Sequence, residues 1–352
     1  MKISIIAFTG VKSENFGFIK PIVDSDEVDL VRVFGEGELE YHPKVKYYKD
    51  QAQKNIWIKL IKRLMAAIRC SKDSDIIIGI YEIPHGFLAM LTGLILRKPT
   101  VLCIIGNPAY KELRKGFRLA LIKLMIRIMD FTTVTGSKSK DYLFKIGMDE
   151  QKIKILPNSV DTSIIKDYSF PRVYDIISLG RISPEKQLFN LVEIVCRLKT
   201  EFPKIRVGIA GNGPDKVKLH DSILKNELTT NVDLMGYIEN KIEFYNQGRV
   251  FVLTSSTEGL PRTVVESMAC GTPCVVSNVG DIEDIVHDSN DGFVINHYTD
   301  LDDYVGKISS LLSNDELRLS YSNKGKEFVQ QNFSFSASTS FWEGIFYQLK
   351  RR

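Results

Sequence analysis

The sequence is poor in cysteine and histidine, with five of each among 352 residues. The cysteines are scattered and odd in number, so we interpret them as small core residues in a reducing compartment rather than as disulfides. Cys270 and Cys274 form a C-x3-C pair. Because no second Cys or His pair stands near them to complete a site, we expect neither a bound metal nor a cofactor.

Long apolar runs are also missing. The N-terminal run MKISIIAF is too short for a secretory signal and leads into polar residues. The most membrane-like segment, Ile76–Leu96, carries Glu82 and Pro84 near its middle. A strand, a turn and a buried helix explain this segment better than a spanning helix. With 44% hydrophobic and 26% charged residues, the chain is typical of a soluble globular protein, and we expect a cytoplasmic location.

The charge is unevenly distributed along the chain. Residues 1–160 hold 26 Lys and Arg against 17 Asp and Glu, a net charge of +9, and the remainder holds 21 against 26, a net charge of −5. Such asymmetry suggests that the first half meets an anionic partner. No recognised nucleic-acid-binding motif accompanies the basic residues, so we expect no nucleic-acid partner.

Short β-branched runs alternate with helical patterns along the whole chain, which predicts an α/β fold with parallel sheets covered on both faces. There are two series of strands, separated at residues 166–175 by Pro171 and polar residues. A chain of this length is also too long for one core. We therefore predict two Rossmann-like doubly wound domains that face each other across a cleft. The predicted strands are Ile3–Phe8, Asp29–Val33, Ile76–Ile80, Thr100–Ile104, Thr132–Val134, Ile153–Leu156, Tyr174–Leu179, Arg206–Ala210, Val232–Met235, Val250–Leu253 and Cys274–Val276.

Ligands of doubly wound sheets bind beyond the carboxyl ends of the strands, so the residues after each strand are the candidate site. Gly10, after the first strand, either lets backbone approach a ligand or marks an ordinary turn. Gly211 and Gly213 follow a strand as in a dinucleotide fingerprint, but Lys216 occupies the third glycine position. We therefore do not expect NAD binding, and a glycine turn beside a phosphate or sugar remains open.

Two cations follow the predicted strand Tyr174–Leu179 in the segment GRISPEKQ. Arg181 and Lys186 flank a turn beside Gly180. They suit a diphosphate, which Arg can grip with two parallel hydrogen bonds and Lys can meet as a mobile point charge. The alternative is two solvated surface charges, and the next motif favours the diphosphate.

The segment TSSTEGLPRTVVESMACGTPCVVS, residues 254–277, combines a glycine loop with a short helix. Pro261 suits the first helical position and Gly271 the position after the last, which predicts a helix over 261–270. The free N–H groups and positive end of that helix point toward whatever binds over the E-G-L loop. Glu258 lies in the loop and Glu266 in the second turn, so their carboxylates can reach different hydroxyls of one extended ligand. The alternative for Glu266 is a surface charge, which its apolar neighbours disfavour.

Four segments, SLGRISPEKQ, IAGNGPDKVKL, STEGLPRTVVESMACGTPCVVSNVGDIEDIV and ILPNSVDT, together resemble the retaining nucleotide-sugar glycosyltransferases of family 4 (group 1), which have the GT-B fold. The motifs cover most of residues 130–295, and the E-x7-E element with its E-G-L-P loop is specific. The resemblance implies an acceptor-binding domain at residues 1–167 and a donor-binding domain at residues 168–334. It also implies a final helix, at about residues 335–352, that packs back on the first domain.

The resemblance also implies roles for individual residues. Arg181 and Lys186 would bind the donor diphosphate, and Glu266 would hold the ribose hydroxyls. Glu258, with nearby backbone, would hold the donor sugar. The implied catalytic residues are Arg181, Lys186 and Glu258, and the implied donor-binding residues are Gly10, Gly180, Gly236, Gly259, Leu260 and Glu266.

The sequence departs from the family pattern at two places. Family members often carry a histidine in a pattern like V-x-x-x-H-G, where this chain has VLCIIGNP with Ile105 before Gly106. A hydrogen bond to the donor sugar is therefore absent or comes from another residue, such as Asn107. The paired N-terminal glycines of the family reduce to Gly10 alone.

Three D-x-D tripeptides could suggest a metal-dependent transferase. Metal-dependent enzymes place such a pair after a strand, whereas Asp73 and Asp75 precede one, so we interpret these residues as solvated loop charges. With two cations for the leaving diphosphate, no metal is required. The tripeptides are Asp24–Asp26, Asp73–Asp75 and Asp300–Asp302.

The resemblance implies a retaining, metal-independent hexosyl- or N-acetylhexosaminyltransferase that uses a nucleotide-sugar donor, expected to be a UDP-sugar. The expected acceptor is a hydroxyl of a lipid-linked glycan in surface polysaccharide or glycoconjugate assembly. Lys111, Arg114, Lys115 and Arg118 have the spacing of one helical face. That face predicts peripheral contact with an anionic membrane surface, on the inner face of the cell membrane. The alternative is an ordinary amphipathic helix with a solvated outer face.

Two other functions remain open at this point. One is another GT-B enzyme that acts on nucleotide-sugars, such as an epimerase or a sugar-phosphate synthase. The other is a non-catalytic partner subunit that keeps the fold, and Ile105 is its only support.

Overall fold

The computed structural model of the chain describes residues 1–7, 13–35, 41–49, 56–106, 108, 116–156 and 158–351. The chain divides into two compact units. Unit 1 comprises residues 1–159 and 335–352, and unit 2 comprises residues 160–334. The boundary falls earlier than the expected one after residue 167, because Val160 pairs with Ser334 in an isolated β-bridge and so joins unit 2.

Unit 1 is a parallel sheet with helices, and its described residues form seven strands in the order β3-β2-β1-β4-β5-β6-β7. Ile3 and Ile5 of the central strand are fully buried, as expected for a parallel sheet covered on both faces. The strands are β1 (Lys2–Ile6), β2 (Leu30–Gly35), β3 (Val45–Lys49), β4 (Ile76–Ile80), β5 (Thr100–Cys103), β6 (Phe131–Val134) and β7 (Ile153–Ile155).

The helices of unit 1 include one from the C-terminal end of the chain. The final helix packs on the first, where Thr339 donates to the Pro21 carbonyl at 3.0 Å and Trp342 is 1% exposed. The helices are α1 (Ser13–Val23), α2 (Ile56–Ser71), α3 (Phe87–Leu96), α4 (Gly116–Ile128), α5 (Ser137–Lys145) and, numbered in chain order, α12 (Phe335–Lys350).

Unit 2 repeats the parallel α/β plan, and its described residues form six strands in the order β10-β9-β8-β11-β12-β13. The strands are β8 (Tyr174–Leu179), β9 (Val207–Ala210), β10 (Val232–Gly236), β11 (Gly248–Leu253), β12 (Cys274–Ser277) and β13 (Gly292–Ile295). The helices are α6 (Leu188–Glu201), α7 (Lys216–Lys225), α8 (Lys241–Gln247), α9 (Arg262–Ala269), α10 (Leu301–Ser313) and α11 (Asp315–Asn332).

The predicted α/β class with two parallel sheets is confirmed. Two strands were not predicted. Strand β3 lies at the sheet edge, and its charged, half-exposed sequence VKYYK lacks the apolar pattern of a buried strand. Strand β13 has only four residues, which is a short pattern to detect. Pro261 is the N-cap residue of α9 rather than its first helical residue.

The membrane-like segment of the sequence folds as expected, with β4, a turn at Glu82–Gly86 and α3. Among the residues that the structure describes, none of the helices is long and apolar enough to span a bilayer. All five cysteines are free, and four of them are buried.

Candidate functional site

The candidate site of unit 2 lies where its strand order reverses. Strand β8 is flanked by β9 on one side and β11 on the other. At such a reversal, successive helices cover opposite faces of the sheet. The loops after β8 and β11 therefore border a crevice at the carboxyl edge of the sheet. GRISPEK follows β8 and TSSTEGLP follows β11, so both predicted motifs lie at this switch point.

The two switch-point loops are joined by hydrogen bonds. The Ser256 backbone N–H donates to the Glu185 carbonyl at 2.8 Å, and the Thr254 hydroxyl donates to the Lys186 carbonyl at 3.0 Å. Between the side chains, Lys186 Nζ lies 2.6 Å from Glu258 Oε1. These bonds hold the basic loop and the carboxylate loop in one arrangement.

The cations of the first loop differ in their surroundings. Arg181 is exposed and makes no hydrogen bond or ion pair within the described residues, whereas Lys186 is paired with Glu258. The Ser183 hydroxyl donates to Glu185 at 2.5 Å and, with the Lys186 and Arg181 cations, holds the pKa of that carboxyl below its ordinary value. The loop therefore carries one cation that is available to an anion and one that already holds a carboxylate.

A small open depression lies at the end of β8. Gly180, Arg181 and Lys186 line it together with Thr254 and Leu188. The Gly180 amide donates to the Ala210 carbonyl at 3.1 Å, so this glycine serves the sheet rather than presenting a free N–H. Gly236 ends β10, and its carbonyl accepts from Gly211 at 2.7 Å.

The carboxylate loop is fixed from its other side. Asp281, in the loop after β12, donates its backbone N–H to the Gly259 carbonyl at 2.9 Å. The Ser255 hydroxyl donates to Glu258 Oε1 at 2.6 Å. The Leu260 side chain is 4% exposed and packs in the core, so it is not available to a ligand.

Glu266 lies in the second turn of α9, as predicted, but it is 2% exposed. Its Oε1 atom lies 2.8 Å from Lys241 Nζ and 3.0 Å from Arg262 Nε, and its Oε2 atom accepts from the Tyr245 hydroxyl at 2.9 Å. Burial and the Glu266 carboxylate raise the pKa of Tyr245 well above its ordinary value, so the hydroxyl keeps its proton and donates. Glu266 forms no hydrogen bond or ion pair with Arg181, Lys186 or Glu258 among the described residues.

The partners of Glu266 were not predicted from the sequence. Lys241 and Tyr245 are four residues apart on α8, and Arg262 precedes Glu266 by four residues on α9. Residues at this spacing share one face of a helix. The lysine and the tyrosine at this spacing on α8 are the signal that could have indicated a buried carboxylate next to that helix.

Several predicted residues fall elsewhere. Arg118 lies on α4 and is exposed, and Ile105 lines a small pocket in unit 1 beside Ile80 and Trp342. Among the described residues, no group of three His, Cys, Asp or Glu side chains could hold a metal. The remaining predicted residues, Gly10, Asn107, Lys111, Arg114 and Lys115, lie outside the described part of the chain.

The comparisons with known proteins agree with this architecture. Residues 162–328, almost all of unit 2, match the family model for glycosyl transferases group 1. The chain superposes on the crystal structure of Anabaena HepE in complex with UDP with a TM-score of 0.83 at 15% identity, covering 99% of this chain and 100% of that one. The fold is therefore that of the GT-B glycosyltransferases.

Two curated relatives are glycosyltransferases as well. A Campylobacter jejuni enzyme named GalNAc-alpha-(1->4)-GalNAc-alpha-(1->3)-diNAcBac-PP-undecaprenol alpha-1,4-N-acetyl-D-galactosaminyltransferase is 24% identical, over 99% of both chains. The N-acetyl-alpha-D-glucosaminyl L-malate synthase of Bacillus anthracis is 21% identical over 82% of this chain and 78% of its own. The predicted resemblance to the group 1 glycosyltransferases is therefore confirmed for residues 162–328.

The loop of residues 180–184, GRISP, lies so close to the backbone at Gly213 that only glycine fits at position 213. A Cβ atom at Gly213 would lie 2.0 Å from the Ile182 carbonyl oxygen. We expect Gly213→Ala to lower the free energy of unfolding by about 1–3 kcal/mol, as overpacking does. Urea denaturation measures the change.

Gly306→Ala, in α10, is the control, because a Cβ there meets nothing within 4 Å. It should leave stability unchanged or raise it by up to about 1 kcal/mol. Equal stability of both variants and the wild type would contradict the tight contact between Gly213 and Ile182.

Proposed function

We propose that the chain is a retaining, metal-independent glycosyltransferase that transfers a hexosyl or N-acetylhexosaminyl group from a UDP-sugar to a hydroxyl of an acceptor glycan. The observation that carries the proposal is the switch point of unit 2, where exposed Arg181 and the Lys186–Glu258 pair meet. The crystal structure of the Anabaena neighbour contains UDP, which supports this choice of nucleotide. In this proposal unit 2 holds the donor and unit 1 the acceptor.

Arg181 and Lys186 would bind the donor diphosphate. Arg181 makes no hydrogen bond or ion pair with other described residues, so its guanidinium is available for two parallel bonds to phosphate oxygens. Lys186 can exchange the Glu258 carboxylate for phosphate or contact both. As the glycosidic bond breaks, negative charge grows on the leaving diphosphate, and cations already in place stabilise it without reorganisation. The leaving phosphate would accept the proton of the attacking acceptor hydroxyl.

Glu258 would hold the donor sugar together with the backbone of Gly259 and Leu260. Its Oε1 atom accepts from Ser255 and Lys186, and a carboxylate has about four acceptor positions in all. Sugar hydroxyls would join or replace these contacts. The hydrogen bonds that fix this loop would set the place of the hexose relative to the diphosphate.

Glu266 would hold the ribose hydroxyls, and Gly236 would place backbone near the nucleobase. Two of the approximately four acceptor positions of the Glu266 carboxylate take hydrogen bonds from Lys241 and Tyr245, and Arg262 Nε lies 3.0 Å from Oε1 as an ion-pair partner. One position on Oε2 is left for a first hydroxyl. The Lys241 side chain is 32% exposed, so it can swing away and release a second position.

The proposed acceptor is a lipid-linked glycan in surface polysaccharide or glycoconjugate assembly. The Campylobacter relative is named for an undecaprenol-linked acceptor, which supports this class. The net charge of +9 in residues 1–160 suits a protein that works at the inner face of the cell membrane. On α4, Phe117 is 83% exposed beside Arg118, and Leu124 and Ile128 are also exposed, so apolar and basic groups share this helix surface.

Glu266→Gln tests the ribose contact. The amide keeps the shape of the side chain but loses its charge, and hydrogen bonds to charged groups are worth about 1.5–3 kcal/mol. We expect the affinity for UDP to fall by about tenfold or more, as measured by titration calorimetry.

The exposed Glu316, on α11, provides the control, and Glu316→Gln should bind UDP as the wild type does. Thermal unfolding must first show that both variants are folded. An unchanged dissociation constant in folded Glu266→Gln would remove Glu266 from the nucleotide site.

Arg181→Ala and Lys186→Ala test the stabilisation of the leaving group. Each variant should lower turnover on the order of 100-fold, as the loss of one preorganised donor does. The measurement is transfer and hydrolysis of labelled UDP-glucose, UDP-GlcNAc and UDP-GalNAc. Lys204→Ala, at an exposed lysine of the same unit, should retain the full rate.

Activity should also persist in EDTA. Loss of activity in EDTA that Mn²⁺ restores would instead favour one of the D-x-D pairs. Full activity of Arg181→Ala and Lys186→Ala would remove these two cations from the reaction.

Membrane contact is tested with vesicles. Each basic residue near an anionic bilayer contributes about 1 kcal/mol, so the four residues of the predicted face give at most about 4 kcal/mol, which is reversible binding. We expect the protein to co-sediment with phosphatidylglycerol vesicles but little with phosphatidylcholine vesicles, and to be released by high salt. Serine at Lys111, Arg114, Lys115 and Arg118 together should abolish sedimentation and leave UDP binding intact. Sedimentation of that variant equal to that of the wild type would overturn the membrane contact.

A further inference from the structure

The strand order of unit 1 also reverses beside its first strand. Strand β1 is flanked by β2 on one side and by β4 on the other, so the loop after β4 borders the switch-point crevice of this sheet. That loop has the sequence YEIPHG, residues 81–86. Strand β4 has the place in unit 1 that β11 has in unit 2, and both strands lead through a loop that carries a glutamate and then a proline into a helix.

The YEIPHG loop is firmly anchored. Tyr81 has φ +67° and ψ 156°, a backbone conformation that residues other than glycine rarely adopt. Its N–H donates to the Cys103 carbonyl and its carbonyl accepts from the Gly86 N–H, both at 2.9 Å. His85 Nδ1 donates to the Ile80 carbonyl at 2.9 Å. Strained backbone persists only where the surroundings determine it strongly, and it is concentrated at ligand sites.

A Cβ atom at Gly86 would lie 2.3 Å from Leu102 Cδ1, so the end of the loop lies tightly against β5. This contact and the hydrogen bonds leave the loop little freedom. Glu82, between the two anchored ends, is therefore held in place at the carboxyl edge of the sheet.

Glu82 differs from the glutamates of unit 2 in its electrostatic partners. It is partly buried and forms no ion pair with any described residue. Burial raises the pKa of its carboxyl above the ordinary value, although a backbone hydrogen bond and the nearby Arg118 cation act in the opposite direction. A partly desolvated carboxylate without an ion pair is costly to retain, and donors from a ligand would offset that cost.

We propose that Glu82 binds the acceptor, accepting hydrogen bonds from hydroxyl groups of a carbohydrate and holding the reacting hydroxyl in position. The inference rests on the proposed function for its reaction and on the structure of unit 1 for its place. Hydroxyl donors suit the site, because a neutral sugar can satisfy a carboxylate without a second charge. No bond to the nucleotide is involved, so Glu82 affects the acceptor and not the donor.

The test uses the full chain with UDP and a set of octyl glycosides of glucose, galactose, GlcNAc and GalNAc, whose binding is followed by saturation-transfer NMR. Glu82→Gln should weaken binding of the octyl glycosides by about tenfold, because a charge-assisted hydrogen bond is lost, and Glu82→Ala should weaken it further. The dissociation constant of UDP and the acceptor-independent hydrolysis of UDP-sugars should not change. Asp141→Asn, at an exposed acid on α5, is the control for the lost charge.

The pH dependence provides a second readout. Only the ionised carboxylate accepts strongly, so wild-type binding of glycosides should fall as the pH decreases through the raised pKa of Glu82, and Glu82→Gln should not show this fall. Among the described residues, the other titratable or charged groups near Glu82 are Tyr81 and His85 in the same loop and Arg118 on α4. The thiol of Cys103, on β5, has a pKa raised by burial to about 12 and does not titrate in this range.

The outcomes separate this inference from the proposed function. Equal binding by the wild type and Glu82→Gln, or no binding of any octyl glycoside by the wild type, would overturn the role of Glu82. Glycoside binding that depends on Glu82, in a protein that neither transfers nor hydrolyses any UDP-sugar, would support the site and contradict the proposed function.

Discussion

The reversal of strand order beside the first strand of each sheet is the constraint on which both candidate sites depend. Parallel strands require crossover connections, and these are right-handed almost without exception. When the chain reverses direction across the sheet, successive helices cover opposite faces and the loops at that point separate. The crevice is therefore a consequence of topology. The side chains on the loops after β8, β11 and β4 decide what each crevice can bind.

The charged groups of unit 2 are paired with one another in ways that a ligand can change. Lys186 neutralises Glu258, and Lys241 neutralises the buried Glu266. Each lysine offsets part of the cost of removing its carboxylate from water and, in the proposed function, becomes a ligand contact when the donor arrives. Binding would then exchange one set of ion pairs for another rather than desolvate isolated charges. Arg181 has no such partner among the described residues and would meet the diphosphate first.

Much of this could be predicted from the sequence because the informative residues are local. The apolar runs of a doubly covered parallel sheet and the E-x7-E spacing are visible in short segments, and so is the α9 helix between Pro261 and Gly271. What could not be predicted depends on residues distant in the chain. The partners of Glu266 come from α8, and the edge strand β3 has a polar sequence that resembles a loop. Ion pairs such as Lys186–Glu258 follow from the strand order, which the predicted strands did not specify.

The two switch-point glutamates illustrate how similar topology can serve different ligands. Glu258 lies 2.6 Å from a lysine, and a cation beside the carboxylate is what a site for an anionic nucleotide needs. Glu82 has the Arg118 cation nearby but forms no ion pair with any described residue, so its surroundings favour a ligand that donates hydrogen bonds without carrying charge. A glycosyl donor is an anion and a sugar hydroxyl is neutral. The difference in ion pairing between the two loops thus matches the difference between the two substrates of the proposed reaction.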